Sequence, residues 1–73
     1  MPTADELKQR IEAAIPGARA DVSSPDDVHF TARVAAPAFA GLSPLQQHRM
    51  VYDVFGDEIG GSIHALSLKT EVT

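Results

Sequence analysis

The chain has no cysteine among its 73 residues, and this absence removes several kinds of chemistry at once. It excludes disulfide bonds, thiolate nucleophiles and zinc fingers. It also excludes an iron–sulfur site held by four cysteines of this chain alone. Any metal site must therefore use histidine, aspartate or glutamate, or take ligands from a partner.

Long apolar runs and positive charge are also scarce. No stretch approaches the roughly 20 apolar residues that a membrane span needs, so no membrane association is expected. Six Lys and Arg residues face ten Asp and Glu residues, which gives a formal net charge of -4. Nonspecific DNA binding depends on Lys and Arg neutralising phosphates, so this balance argues against it as the main task. A local basic patch is still compatible with an acidic protein.

The remaining composition fits one small soluble globular domain spanning residues 1–73. Hydrophobic residues make up 44% of the chain and charged residues 22%, both ordinary values for such a domain. The segment 1–6 is polar and acidic, unlike a secretory signal or an Arg-rich transit peptide. The expected location is therefore the cytoplasm.

Periodicity and capping residues predict a first helix followed by two strands. Thr3 begins a Thr-x-x-Glu capping box, and an apolar stripe at helical period supports a helix over residues 3–15. A weak strand over residues 18–22 leads into a cluster of turn formers at 23–27. From Val28 onward, apolar and polar residues alternate as in a half-buried strand. The two strands should form a hairpin that the helix covers.

The second half of the chain predicts another helix and a closing strand. Ser43 fits the N-cap position of this helix, and Pro44 fits its first residue. Gly56 should weaken the middle of the helix, and Gly60-Gly61 should end it. The last strand is predicted over residues 63–70. The helix residues expected to face the sheet are Leu45, His48, Val51, Tyr52, Phe55 and Ile59.

These elements follow the order α-β-β-α-β, without repeats, linkers or low-complexity tracts. The order predicts an α+β fold in which two helices pack on one face of a three-stranded sheet. A domain this small buries only about 60% of the surface that its unfolded chain exposes, which leaves little room for a deep pocket. Function should therefore depend on a few surface groups.

Several motifs in combination resemble the signature of BolA-like proteins. They are Phe39-x-Gly41, Gln47-His-Arg49 followed by Val51-Tyr52, and Ile63-His-Ala-Leu66 followed by Lys69-Thr70. The strand start Val28-His-Phe30 also fits, and the resemblance covers about residues 3 to 70. It implies a class II KH-like fold, in agreement with the α-β-β-α-β order.

The same resemblance implies a function in iron–sulfur metabolism. BolA-like proteins partner monothiol glutaredoxins and share a [2Fe–2S] cluster, for which a glutaredoxin cysteine and glutathione would supply the sulfur ligands. The implied task is cluster binding, trafficking or iron sensing. Some bacterial members are described as DNA-binding transcription regulators of morphology and stress responses, and this is the alternative function. The free chain is expected to be a monomer or a weak homodimer.

His64 is the first candidate for the cluster ligand that the resemblance implies. If Ile63 and Ala65 face the core, the imidazole points outward and can offer a nitrogen to iron. If Leu66 and Leu68 face the core instead, the ring is half buried and structural. From residue chemistry alone a structural role is the more common one, and the resemblance favours the ligand.

His29 is the second candidate. The hairpin loop 23–27 has neither the His nor the Cys that many BolA-like proteins carry there, so the identity of the second ligand stays open. His29 lies between the apolar Val28 and Phe30, so its side chain should be exposed. Two imidazoles on one iron occur in Rieske centres, which makes a pair with His64 chemically feasible. The alternation places the two rings on opposite faces unless strand twist brings them together. A solvated strand histidine is the equally favoured interpretation.

Three basic residues, Arg49, Lys69 and Arg33, are candidate contacts for a partner or for nucleic acid. Together they could form a basic surface, although a solvated charged face is the more frequent arrangement. KH domains bind single-stranded nucleic acid through a GXXG loop. The corresponding turn at residues 41–44 has one glycine and a proline, so this activity is not expected.

Catalysis is not predicted, and the chain is expected not to be an enzyme. His48 falls on the apolar stripe of the second helix and should be a core or near-core histidine. Ser43, His48 and Asp53 have spacings on one helix that cannot form a catalytic triad, and nothing would form an oxyanion hole. Asp57 and Glu58 are adjacent on a helix and diverge, so they do not form a paired-carboxylate site.

Overall fold

The structure is a computed structural model that describes residues 2–73. It consists of helix α1 at Ala4–Ala14, strand β1 at Arg19–Ser23, strand β2 at His29–Ala35, helix α2 at Pro44–Phe55 and strand β3 at Ala65–Glu71. Single 3₁₀ turns precede and follow α2. The predicted order α-β-β-α-β is therefore confirmed, with boundaries that shift by one or two residues at most strand ends.

The three strands form a mixed sheet in the order β1-β2-β3. β1 pairs antiparallel with β2, and β2 pairs parallel with β3. Both helices cover one face of this sheet, where Phe30, Ala32 and Val34 of β2 are buried. The alternate strand residues lie on the opposite face, which is exposed (the open face below). Among residues 2–73, no helix has the length and apolar character that crossing a bilayer requires.

Helix α1 is defined by local signals at both ends. The Thr3 hydroxyl accepts a hydrogen bond from the backbone N of Glu6 at 3.2 Å, which satisfies one amide that the helix leaves unpaired. Leu7 and Ile11 are fully buried against the sheet, and each contributes about 1.5–3 kcal/mol of burial free energy. After the helix, Gly17 has a φ of +72°, and a Cβ there would lie 2.9 Å from a Pro37 ring carbon.

Helix α2 begins as predicted and ends earlier. Ser43 is the N-cap, and both bonds of a capping box are present. The helix stops at Phe55, because Gly56 adopts φ +55° and ψ -125°, a conformation that residues with a Cβ rarely take. The prediction that the helix continues to Ile59 is therefore wrong. Ile59 instead forms an isolated β-bridge with Ile63.

The buried face of α2 is also rotated from the predicted one. Val51 and Phe55 are buried as expected, but Leu45 is 62% exposed. His48 and Tyr52 are half-buried on the same flank. The apolar pattern alone placed this flank in the core, whereas the helix packs with a polar residue inward.

That residue is Gln47, which is 8% exposed and fully hydrogen-bonded. Its amide nitrogen donates to the carbonyl oxygens of Leu42 at 3.0 Å and Phe39 at 3.4 Å. Its amide oxygen accepts from the Thr70 hydroxyl at 2.7 Å. A buried polar group is tolerated when its partners are present, so Gln47 ties the turn before α2 to β3.

Side chains from the helices also reach the two outer edges of the sheet. On the β1 edge, a Glu12 carboxylate oxygen accepts from the backbone N of Ala20 at 3.1 Å. On the β3 edge, the Tyr52 hydroxyl donates to the carbonyl oxygen of Leu66 at 3.0 Å. Each helix is thus attached to the strand that it covers by a polar contact as well as by apolar packing.

Candidate metal-ligand site

The two histidines predicted as ligands meet at one end of the sheet. His29 is the first residue of β2, and His64 immediately precedes β3. Because these strands are parallel neighbours with His29 opposite Ala65, both histidines arrive at the same end. Their ring centroids are 5.2 Å apart, with an angle of 78° between the ring planes. The expected opposition of the two faces is therefore absent.

His64 is exposed for a reason that neither sequence alternative contained. Leu66 and Leu68 do face the helices, which would have left His64 half-buried. However, the regular alternation of β3 starts at Ala65, whose side chain is exposed, and Ile63 before it is fully buried. His64 lies in the irregular step between these two residues, so its ring turns outward.

Backbone hydrogen bonds hold the two ring positions together. The backbone N of His64 and that of Ala65 both donate to the carbonyl oxygen of Val28, at 3.0 and 3.3 Å. Val28 directly precedes His29, so the start of β3 is fixed against the residue next to the partner histidine. The pairing of the rings is thus a consequence of strand registry.

The hairpin loop orients the His29 ring through Asp26. One Asp26 carboxylate oxygen accepts from the backbone N of Val28 at 3.0 Å and from that of His29 at 2.8 Å. The other oxygen lies 2.8 Å from Nδ1 of His29. The backbone N–H of His29, and then its ring, hold the pKa of the Asp26 carboxyl far below its ordinary value.

This geometry leaves Nε2 of His29 as the ring nitrogen without a partner in the loop. A carboxylate on the other imidazole nitrogen is the usual way in which proteins orient a metal-binding histidine. Asp26 is the candidate site residue that the sequence reasoning missed. Its signal was available, because Asp26 stands three residues before His29 inside a cluster of turn formers.

The site lies on open surface. The side chains of His29 and Asp26 are 57% and 45% exposed, and His64 is exposed as well. Within the described part of the chain, no group of three or more His, Cys, Asp or Glu side chains is placed to hold a metal ion. Residues 2–73 therefore offer two imidazoles here, while His48 lies on α2, across the sheet from the open face.

The three basic candidates do not form one surface. Arg33 and Lys69 are cross-strand neighbours on the open face. The Arg33 guanidinium donates to the Glu71 carboxylate at 2.5 Å, and this bond raises the pKa of Arg33. Arg49 projects from α2 on the other side of the sheet. Arg33 is thus paired, and the sheet separates Arg49 from the other two.

These observations define a class of protein: a small α+β domain with helices on one face of a mixed sheet and a surface pair of histidines at its end. The family model described as "BolA-like protein" matches residues 4–73. The chain therefore belongs to the BolA-like family, and the predicted family and fold are confirmed.

Solved and curated relatives agree with this assignment. A bolA protein homologue from Coxiella burnetii has a TM-score of 0.83 and 40% identity, with 99% of this chain and 92% of that chain covered. BolA-like protein 1 of Homo sapiens is 44% identical over 43 residues, which are 59% of this chain and 31% of that protein. The DNA-binding transcriptional regulator BolA of Vibrio cholerae is 42% identical over 45 residues, 62% of this chain and 42% of that protein. The matches thus span less than half the length of these two curated relatives.

Proposed function

We propose that this chain is an adaptor that binds a monothiol glutaredoxin and contributes ligands to a [2Fe–2S] cluster shared by the two proteins. The exposed pair of His29 and His64, with ring centroids 5.2 Å apart, is the observation that carries the proposal. The partner and the cluster are those that the BolA-like resemblance implies. The cluster is the cargo of this site.

The donor set of this chain fits one half of such a cluster. Two imidazoles on one iron and sulfur ligands on the other is an arrangement that Rieske centres use. His29 has its Nδ1 at Asp26, so Nε2 is the nitrogen that would face iron. Because the chain has no cysteine, the sulfur ligands would come from the glutaredoxin cysteine and glutathione.

The open position of the site supports a shared cluster over one enclosed by this chain. Both rings lie at the end of an exposed sheet face, where a second protein can approach without displacing either helix. Asp26 would keep the His29 ring oriented before the partner arrives, which reduces the ordering cost of binding.

Visible absorption and circular dichroism test this proposal. Cluster-loaded monothiol glutaredoxin should show a changed visible spectrum when this chain is added. His64→Ala should abolish the change and His29→Ala should reduce it. His48→Ala is the matched control, because this histidine lies on α2 and should leave the spectrum of the mixture as in the unmodified protein.

Two results would contradict the ligand function. One is an unchanged spectrum with the unmodified chain, and the other is the full spectral change with His64→Ala. NMR titration with apo and cluster-loaded glutaredoxin then separates partner from ligand. Equal binding of both forms, with no shift at either histidine, would indicate a protein–protein module without a metal.

A further inference from the structure

The outer edge of β3 is an open edge of the sheet. The backbone N of Ala65 and the carbonyl oxygen of Glu71 both bond toward β2, so the odd-numbered residues of β3 point their backbone groups inward. In a parallel ladder, the residues between them direct N–H and C=O away from the neighbouring strand. The outward residues are Leu66, Leu68 and Thr70.

Only the first part of this edge is occupied within residues 2–73. The Leu66 carbonyl accepts from the Tyr52 hydroxyl. No hydrogen bond to the outward backbone groups of Leu68 or Thr70 is present in the described chain. Unpaired N–H and C=O groups in a row are a template for one more strand.

One flank of α2 forms a wall beside this edge. Tyr52 lies against Leu66 and Gln47 against Thr70, so α2 runs antiparallel to β3. Leu45 precedes Tyr52 by two helical turns, on the same flank. We define the β3–α2 groove as the surface between the outward edge of β3 from residue 66, with Val72 after its end, and Leu45, His48 and Tyr52 of α2.

The groove has an apolar end that lacks a cover within the described chain. The large hydrophobic residues left exposed among residues 2–73 are Leu45, at 62%, and Val72, at 49%. Val72 directly follows the last residue of β3, so it lies at the Thr70 end of the strand. Since Thr70 contacts Gln47 near the start of α2, both hydrophobic residues lie at the same end of the groove.

Two cations without carboxylate partners border the groove. Arg49 follows Leu45 by one helical turn, and Lys69 projects from β3 on the open face. Neither forms an ion pair among residues 2–73, whereas Lys8, Arg10 and Arg33 each do. Each side of the edge thus carries one cation without an ion pair, although the exposed Asp53 lies one helical turn after Arg49 and Glu71, bonded to Arg33, lies two residues after Lys69.

We propose that the β3–α2 groove binds an extended segment of a partner protein in which acidic residues alternate with apolar ones. The segment adds to β3 as a fourth strand and bonds to the free backbone groups of Leu68 and Thr70. Its acidic side chains stand beside Lys69 on the open face, at cross-strand distance. Its apolar side chains point the other way and pack against Leu45 and Val72. The proposal requires neither His29 nor His64, so it goes beyond the cluster function.

A synthetic peptide, acetyl-Glu-Val-Glu-Val-Glu-Val-amide, provides the test. In an NMR titration of the full chain at low salt, the amides of Leu68 and Thr70 should shift and exchange more slowly with solvent. A peptide that is N-methylated at alternate residues keeps its side chains but lacks the N–H groups that would bond to β3. This peptide should not bind. The peptide with Lys in place of each Glu should bind at least fivefold more weakly.

Charge variants locate the site. Lys69→Glu and Arg49→Glu should each weaken peptide binding by about two- to fivefold, the range of an exposed ion pair. Arg19→Glu is the matched control, because Arg19 is an exposed cation on β1, at the far side of the sheet. Arg19→Glu and His64→Ala should both leave peptide binding unchanged, which separates this site from the cluster site.

Three outcomes overturn the proposal. One is the absence of shifts at Leu68 and Thr70 at millimolar peptide, and another is equal binding of the N-methylated peptide. The third is a dependence of the same amides on protein concentration without peptide, which would assign the edge to a second copy of this chain.

Discussion

A single carboxylate on Asp26 holds both the backbone and the ring of His29. One oxygen accepts from the backbone N at 2.8 Å, and the other lies 2.8 Å from Nδ1. The start of β2 and the orientation of a candidate ligand therefore depend on the same ionised group. Acid should loosen both together.

The first prediction concerns stability against pH. The pKa of Asp26 is lower in the folded chain than in the unfolded one, first because of the His29 backbone N–H. The unfolded state then binds more protons in acid, so the contribution of Asp26 is present above about pH 4 and is lost below it. The unfolding free energy of Asp26→Asn should therefore fall less steeply than that of the unmodified chain as the pH is lowered below about 4. Urea denaturation at a series of pH values above and below this point measures both slopes.

Asp53→Asn is the matched control, since Asp53 is exposed on α2 and has no hydrogen bond to its carboxylate within residues 2–73. Glu12 and Glu58, whose pKa values are lowered chiefly by hydrogen bonds from Lys8 and Arg10, contribute the same acid loss to every variant. Identical acid slopes for Asp26→Asn and the unmodified chain would contradict the first prediction.

The second prediction concerns the buried amide of Gln47. Gln47→Ala leaves the Thr70 hydroxyl and the Leu42 carbonyl without their partner, and it should lower the unfolding free energy by about 2 kcal/mol. Thr70→Val removes one bond and should cost about 1 kcal/mol. The double variant should cost less than the sum, because both changes remove the same interaction. Chemical denaturation measures all three.

Gln9→Ala is the control for the Gln47 and Thr70 variants, because Gln9 is exposed on α1. It should change the unfolding free energy by no more than about 0.5 kcal/mol. Strictly additive costs for the Gln47 and Thr70 variants would show that the two side chains are not coupled in solution.

The third prediction concerns the glycine that ends α2. Gly56→Ala forces a Cβ into φ +55° and ψ -125°, so it should destabilise the fold by about 1–3 kcal/mol even though the space around it is empty. Gly61→Ala is the matched control, because its φ is ordinary and its nearest contacts lie at 3.5 Å. Equal unfolding free energies of these two variants would refute a conformational cause.

The fourth prediction concerns nucleic acid. Among the described residues the open face carries three cations, Arg19, Arg33 and Lys69. Arg33 is paired to Glu71, and Asp21 lies opposite Arg33 in the ladder, so the net positive charge available for phosphate contacts there is small. Arg49 lies on the other side of the sheet. Fluorescence anisotropy with a short DNA duplex should give affinity no tighter than the roughly 10⁻⁴–10⁻⁶ M of nonspecific binding at physiological salt. Tighter binding, with a salt slope that Arg49→Ala reduces, would instead favour the regulator function.

The element order and the capped starts of both helices were predictable because each has a local signal. The helix starts are indicated by the capping side chains of Thr3 and Ser43 and by the fixed φ angle of Pro44. The end of α2 was not predictable, since a glycine costs only about 1 kcal/mol within a helix and so permits either outcome.

The geometry of the candidate site depends on the alignment of β2 with β3, which the periodicity of a single strand does not reveal. Alternation gave correct exposure for His29, but the meeting of His29 with His64 follows from the parallel alignment of β2 and β3. The inward turn of Gln47 likewise depends on Thr70, a partner distant in sequence. Both features arise from tertiary contacts, which override a local pattern.

The Glu12 carboxylate on the backbone N of Ala20 limits how copies of this sheet can join. A charged side chain held on an edge strand opposes pairing with another strand there. Edge-to-edge stacking of sheets into a filament requires two receptive edges on every molecule, and on β1 the outward amide of Ala20 is already bonded to a charged side chain. A strand captured on the β3 side therefore leaves a less receptive edge on the far side of the sheet, which favours recognition over polymerisation.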